Sequence, residues 1–197
     1  MIQTERLLLR AWRESDRDPF YRMNADPEVM RYFPAVLSRQ ESDALVDRVE
    51  GQWAQRGFTF YAAELREGGD FIGFIGISVP LFEAPFTPCV ETGWRLAKAY
   101  WGRGLATEGA RQVLHHAFSE LGLTEIVAFT VPANRPSRRV MEKIGMTHDP
   151  ADDFDHPRLP EGHPLRRHVL YRVRKVGMAS GQAAGDWPPN APGNPRN

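Results

Sequence analysis

Only one cysteine, Cys89, occurs in 197 residues. A lone thiol excludes an intrachain disulfide framework and fits a reducing compartment, so a cytoplasmic location is expected. An excess of positive charge is also missing. Lys and Arg number 25, Asp and Glu number 25, and the formal net charge is zero. Duplex nucleic acid is bound through a basic face, so no nucleic-acid partner is expected. No stretch is long and apolar enough to span a membrane, so no membrane partner is expected either. The opening Met1-Ile2-Gln3-Thr4-Glu5-Arg6 lacks the apolar run of a signal peptide. No internal repeat is visible. Residues 177–197 are rich in Gly, Pro, Ala and Asn and hold little to bury beyond Met178 and Trp187. Such a composition cannot offset its ordering entropy and predicts a disordered tail. Residues 1–176 are left for one domain, long enough for a proper core.

Within that domain, strand and helix signals alternate. Leu7 to Trp12 reads as a strand. Ser15 and Asp18 open a short helix carrying Phe20 and Met23. Asp26-Pro27-Glu28 predicts a helix restart, with Asp as cap and Pro at the first position. Ser38-x-x-Glu41 is a capping box before a longer helix bearing Leu45, Val49 and Trp53. Phe58 to Leu65 and Phe71 to Val79 read as strands of a hairpin turned by Glu67-Gly68-Gly69-Asp70. Cys89 to Leu96 is the next strand. A helix follows, with Ala110, Val113, Leu114, Ala117, Phe118 and Leu121 on one stripe and Gly122 at its end. Glu125 to Val131 is a strand, Pro136 opens a helix that ends at Gly145, and Arg166 to Val173 is the last strand. The pattern is α/β (α+β), with early antiparallel pairing. The link from Cys89–Leu96 to Glu125–Val131 is long enough for a parallel crossover.

Trp101-Gly102-Arg103-Gly104-Leu105-Ala106-Thr107-Glu108 carries the most chemistry. Two glycines precede a helix start, so backbone N–H groups and the positive dipole end converge on one spot. Such a spot suits a phosphate or pyrophosphate. A dinucleotide fingerprint would need a third glycine where Thr107 stands, and a buried strand before it. The strand here carries Glu91 and Arg95. A phosphate loop of the Walker type would need Gly-Lys-Ser/Thr, which is missing. By itself the loop is equally a plain turn before a helix.

It is not by itself. The run Glu91-Thr92-Gly93-Trp94-Arg95-Leu96, with Tyr100-Trp101-Gly102-Arg103-Gly104-Leu105-Ala106-Thr107-Glu108, resembles the central motif of the GNAT acetyltransferase superfamily. More narrowly it is similar to the RimJ/RimL-like branch. Thr4-Glu5-Arg6-Leu7-Leu8-Leu9-Arg10, Asp26-Pro27-Glu28-Val29-Met30, Ile72-Gly73-Phe74-Ile75-Gly76 and the block from Asn134 to Met146 extend the resemblance. One departure is Trp101, where the superfamily often has Gln or Arg. The resemblance implies a mixed central sheet of about 6–7 strands with helices on both faces. A cleft would splay open between the strands Cys89–Leu96 and Glu125–Val131. It implies acetyl-CoA as co-substrate, with no metal, and an amine as acceptor, either a peptide N-terminus or a small molecule. A homodimer is compatible with it. The pantetheine arm would pair with the edge Trp94-Arg95-Leu96. The pyrophosphate would sit on the N–H groups of Gly102, Arg103, Gly104, Leu105, Ala106 and Thr107. The Asn134 amide would contact the pantetheine, though Asn134 is equally placed to cap the helix that follows. A module that binds CoA without chemistry is the competing class.

Acetyl transfer needs an amine lone pair, a polarised thioester carbonyl and a proton for the leaving thiolate. Glu91, a carboxylate in an apolar strand, is the candidate base, and an ion pair with an arginine is the plain alternative. Ser137 is the candidate proton donor. The superfamily often has Tyr in this helix, but Met141 stands at the matching position, and the resemblance to the RimL-type branch points to serine. Ser137 is equally a first-turn residue bonding the backbone. Cys89 reads as a small buried hydrophobe rather than a nucleophile. His148, His156, His163 and His168 lack metal-ligand spacing. Asp153 and Asp155, in an acidic loop, are candidates to attract a cationic amine, against the plain reading of a solvated loop. Tyr32 and Phe33 are candidates for the opposite wall of the acceptor groove.

Overall fold

The structure, a computed structural model, describes residues 1–175. The expected tail, 177–197, lies outside the described residues. Strands β1 (Ile2–Gln3) and β2 (Leu7–Arg10) lead into helices α1 (Arg17–Asn24) and α2 (Arg39–Arg56). The hairpin β3 (Phe60–Leu65) and β4 (Phe71–Ser78) follows, then β5 (Glu91–Leu96), α3 (Leu105–Ser119), β6 (Glu125–Thr130) and α4 (Arg135–Lys143). Three strands close the fold: β7 (Thr147–His148), β8 (Phe154–Asp155) and β9 (Arg167–Arg174). The sheet has nine strands in the order β1-β2-β3-β4-β5-β6-β9-β7, and β8 pairs with β9 off this path. Six of them correspond to strands expected from the sequence. The other three, β1, β7 and β8, are two residues long, too short to leave an alternation signal.

Local chemistry sets most boundaries. Ser38 N–H donates to Glu41 Oε2 at 2.7 Å and Ser38 Oγ accepts from Glu41 N–H, the reciprocal box that starts α2. Gly57, with φ of 73°, ends it in the left-handed conformation. The β3–β4 turn closes with Leu65 N–H donating to Asp70 O at 2.9 Å. The helix expected from Asp26 is a series of turns instead. Asp26 Oδ1 accepts from Glu28 N–H at 2.8 Å, and only Met30 N–H reaches back to Asp26 O. The side chain competes with the helix for the local donors.

The helices cover both faces of the sheet. Phe20, Met23, Val46 and Val49 of α1 and α2 pack with Trp12, Ala62 and Phe74 on one face. Leu105, Ala110, Val113, Leu114 and Ala117 of α3, with Met141 of α4, pack on Ile75, Ile77 and Ile126 on the other. A Cβ at Gly109 would meet Ile75 Cδ1 at 2.5 Å, so this glycine lets α3 lie close on β4.

Among the described residues β5 and β6 are the only parallel neighbours, and they pair at one register position, Glu91 with Val127. There Val127 N–H donates to Val90 O at 2.9 Å. Beyond Glu91 the two strands diverge. Ala97 N–H bonds Ile72 O on the β4 side, so strand alternation turns the backbone groups of Trp94 and Leu96 into the gap. This is the splayed cleft expected between these two strands.

Candidate functional site

The glycine loop is built to leave donors free. Lys98–Tyr100 form a single 3-10 turn, and Gly102 and Gly104 then take φ of 72° and 79°. Gly104 caps α3 without a side chain. None of the backbone N–H groups from Gly102 to Thr107 has an acceptor among the described residues. They stand at the positive end of a 15-residue helix.

The loop is held from behind. Glu108, in the first turn of α3, accepts from Thr4 Oγ1 at 2.6 Å, Arg6 N–H at 2.8 Å and Arg6 Nε at 2.7 Å. Arg6 also donates to Arg103 O at 3.0 Å. Hydrogen bonds to the ionised form depress the Glu108 carboxyl despite its partial burial. Trp101 Nε1 donates to Leu96 O at 2.7 Å and ties the loop to the end of β5.

A cavity of about 780 Å³ runs from this loop through the β5–β6 gap. Gly102, Gly104, Leu105, Ala106 and Thr107 line one end, with Trp94, Arg95 and Leu96 along the strand. Asn134 and Ser137 line it from α4, and Tyr32, Phe33 and Glu91 from the far side. Arg103 is not in the lining. Its exposed guanidinium lies 5.8 Å from the Tyr100 ring centre. Asp153 and Asp155 are outside it as well, and the acidic loop is largely neutralised. Asp153 Oδ1 lies 2.7 Å from His148 Nε2, Asp152 pairs with Arg172 at 2.6 Å, and Asp155 faces Arg166 and Arg167.

Glu91 lines the cavity and is half-buried. Burial pushes its carboxyl up to about 8, against the opposing pull of Arg48 and Arg158. Ser137 is half-buried, and its backbone N–H donates to Asn134 Oδ1 at 3.3 Å. Asn134 therefore does cap α4, and its amide nitrogen donates to Thr130 Oγ1 at 3.0 Å. Cys89 packs beside Val127, Phe129 and Phe154. Burial first, and Glu91 second, push its thiol up to about 12, so almost no thiolate exists near neutral pH.

Residues 6–147 match the Acetyltransferase (GNAT) domain family. The chain belongs to the GNAT acetyltransferases. It is 33% identical over 173 residues to the uncharacterized N-acetyltransferase YnaD of Bacillus subtilis (strain 168), covering 87% of this chain and 95% of that protein. It is 31% identical over 197 residues to the FsC-acetyl coenzyme A-N(2)-transacetylase of Aspergillus fumigatus, covering 90% and 80%. The GNAT-family acetyltransferase structure from Bacillus anthracis superposes with a TM-score of 0.72 at 27% identity, over 88% of this chain and 97% of that one.

This GNAT acetyltransferase is thus an acyltransferase that draws on acetyl-CoA, and its own residues fit that co-substrate. The orphaned N–H groups of Gly102 to Thr107 would hold the pyrophosphate, and the Trp94–Leu96 edge would hold the amide-bearing arm. The cavity wall also contains residues with no local signature in the sequence. Arg48 and Gln52 reach it from α2, and His156 and Arg158 from the segment after β8. Burial, then the charges of His168 and Arg158, lower His156 to about 4, which leaves a neutral imidazole in the wall. Among the described residues no group of three His, Cys, Asp or Glu is gathered for a metal ion, and no helix is long and apolar enough to cross a membrane.

Proposed function

We propose that this enzyme transfers acetyl from acetyl-CoA directly to an α-amine in a ternary complex, with Glu91 as base and Ser137 as proton donor. The observation that carries this reading is Glu91, a carboxyl raised to about 8 in a cavity that also holds the free donor loop. An α-amine titrates near about 7.7–8.0 and a lysine amine near about 10.4, so the carboxylate is matched to the former. Acetyl-CoA supplies the activated thioester. Glu91 takes the ammonium proton that must leave before the nitrogen can attack. The open N–H groups of β5 stabilise charge on the carbonyl oxygen. Ser137 lines the same cavity from α4 and would give the departing sulfur its proton. Direct transfer is favoured because Cys89 is outside the cavity lining and is held as a thiol. The resemblance to the RimJ/RimL-like branch supports a peptide N-terminus as one form of the α-amine, and the lone cysteine supports a cytoplasmic setting.

The test follows free thiol produced from acetyl-CoA across a panel of peptides, amino-acid conjugates, polyamines and aminoglycosides, with product mass checked. Wild-type protein should acetylate an α-amine, and Glu91→Gln should retain acetyl-CoA binding but lose turnover. Binding of acetyl-CoA without transfer to any amine would establish the CoA-binding module instead.

A further inference from the structure

Five arginines line the cavity, among them Arg48, Arg95 and Arg158, against a single carboxylate outside any ion pair among the described residues, Glu91. The other carboxylate of the cavity wall, Glu28, is taken by Lys98. None of the three arginines is in an ion pair among the described residues. The Arg95 guanidinium lies 4.0 Å from the Phe33 ring centre and 5.5 Å from that of Phe74. Its Nη1 donates to the neutral Asn24 Oδ1 at 2.7 Å, and its Nε is buried with no acceptor. Arg158 donates to a carbonyl, Leu81 O. Arg48 stands near enough to Arg158 and Arg95 for its charge to bear on both.

Two other arginines of the same chain provide the contrast. Arg10, buried in the fold, holds Asp16 at 2.7 and 2.8 Å and Glu64 at 2.6 Å. Arg172 holds Asp152 at 2.6 Å and Glu125 at 2.9 Å. In these two places the chain supplies two carboxylates to one arginine. Around the cavity it supplies no carboxylate to these three: the buried Nε of Arg95 has no acceptor, which costs stability until something accepts from it, and Arg48 and Arg158 present exposed guanidinium groups.

The phosphates of the cofactor do not account for this. Glu91 and the glycine loop sit at opposite ends of β5. Five residues at about 3.3 Å each put Glu91, with Arg48 and Arg158 whose charges act on it, roughly 17 Å from Leu96, where the loop begins. Arg95 stands nearer the loop, but its guanidinium turns to Asn24 and Phe33. An acceptor for this group fits the other substrate better than the cofactor's phosphates.

We infer that Arg48, Arg95 and Arg158 receive a carboxylate carried by the acceptor, so that the substrate is an amine with a carboxylate nearby. A free amino acid and a peptide beginning with an acidic residue both offer that chemistry. The inference rests on the acetyltransferase reading above and names its substrate class. Guanidinium and carboxylate pair in a forked, directional geometry. Fixing the carboxylate would aim the amine at Glu91 and exclude water, while a polycationic amine would meet repulsion. Aromatic rings of Phe33, Phe82 and Phe129 wall the same space and suit the acceptor's carbon frame.

The experiment compares amino acids with their primary amides, and peptides beginning Asp or Glu with those beginning Asn or Gln, at saturating acetyl-CoA. The charged member of a pair should be favoured in kcat/KM by about 10- to 100-fold, the worth of a charge-assisted hydrogen bond. The series with the larger ratio identifies the source of the carboxylate. Arg48→Gln and Arg158→Gln alter exposed side chains, so the fold should persist. Each should raise KM for the charged acceptor and shrink the ratio toward one, with KM for acetyl-CoA unchanged. Equal or better use of the neutral members would overturn the inference and leave acetyl transfer intact. So would a rise in KM for acetyl-CoA with the ratio unaltered. If no amine of any kind is acetylated, the acetyltransferase reading falls, and this inference with it.

Discussion

The two ends of the cavity are made in different ways. The end proposed for the cofactor is backbone: free N–H groups of Gly102 to Thr107 and the open edge of β5, two adjoining stretches of chain. The end proposed for the acceptor is side chains: Arg48 from α2, Phe33 from the turns before it, and His156 and Arg158 from beyond β8. A ligand shared by a whole family can be held by backbone, whose chemistry is the same in every sequence. A ligand that distinguishes one member has to be read by side chains, which can change one at a time.

Glu91→Gln should break the acceptor end most severely. A drop in kcat of about 100-fold or more is expected with acetyl-CoA binding retained, as for loss of a general base. The wild-type rate should climb with pH around a midpoint near 8, and the variant should lose that limb. Stability should move the opposite way. The Glu91 proton is held more tightly in the folded chain than in the unfolded one, where the value is about 4.3. Folding stability therefore falls as pH rises from about 4 to about 8. Thermal melts across that range should show the decline in wild type and a shallower one in the variant.

Glu108→Ala strikes the cofactor end alone. With Thr4 and Arg6 released, the loop should lose its register. A rise in KM for acetyl-CoA of about tenfold is expected, given what small displacements cost in positioned sites. An unchanged KM for the acceptor would confirm that the two ends are separable. Ser137→Ala lies between them and should cost less, below about tenfold in kcat, because a thiolate with a pKa near 8.5 leaves tolerably unaided. The smallest effect belongs to Cys89→Ala. Steady-state rates should stay within about twofold, since the thiol is buried and protonated. Intact-mass measurement should find no acetyl group retained on the wild-type protein.

The same division explains what could be read before the fold was known. Gly102, Gly104, Asn134 and Ser137 stand in short local patterns with fixed backbone consequences, and the structure gathers them in one cavity. In the Asp-rich loop the charge was visible and the pairing was not. Its partners Arg166, Arg167 and Arg172 lie on or beside β9, a strand apart. Arg48 and Arg158 had no local signature, because α2 and the segment after β8 meet only through the tertiary fold. Asp26 misled in a smaller way, since its side chain closes a turn where a helix cap was expected.

The grip of Thr4 and Arg6 on Glu108 also ties the donor nest to the first residues of the chain. It joins positions about a hundred residues apart, through the contacts of β1 and β2 with α3. A ligand seated in that nest would bind the folded chain and not the unfolded one, so acetyl-CoA should raise the melting temperature in step with its concentration.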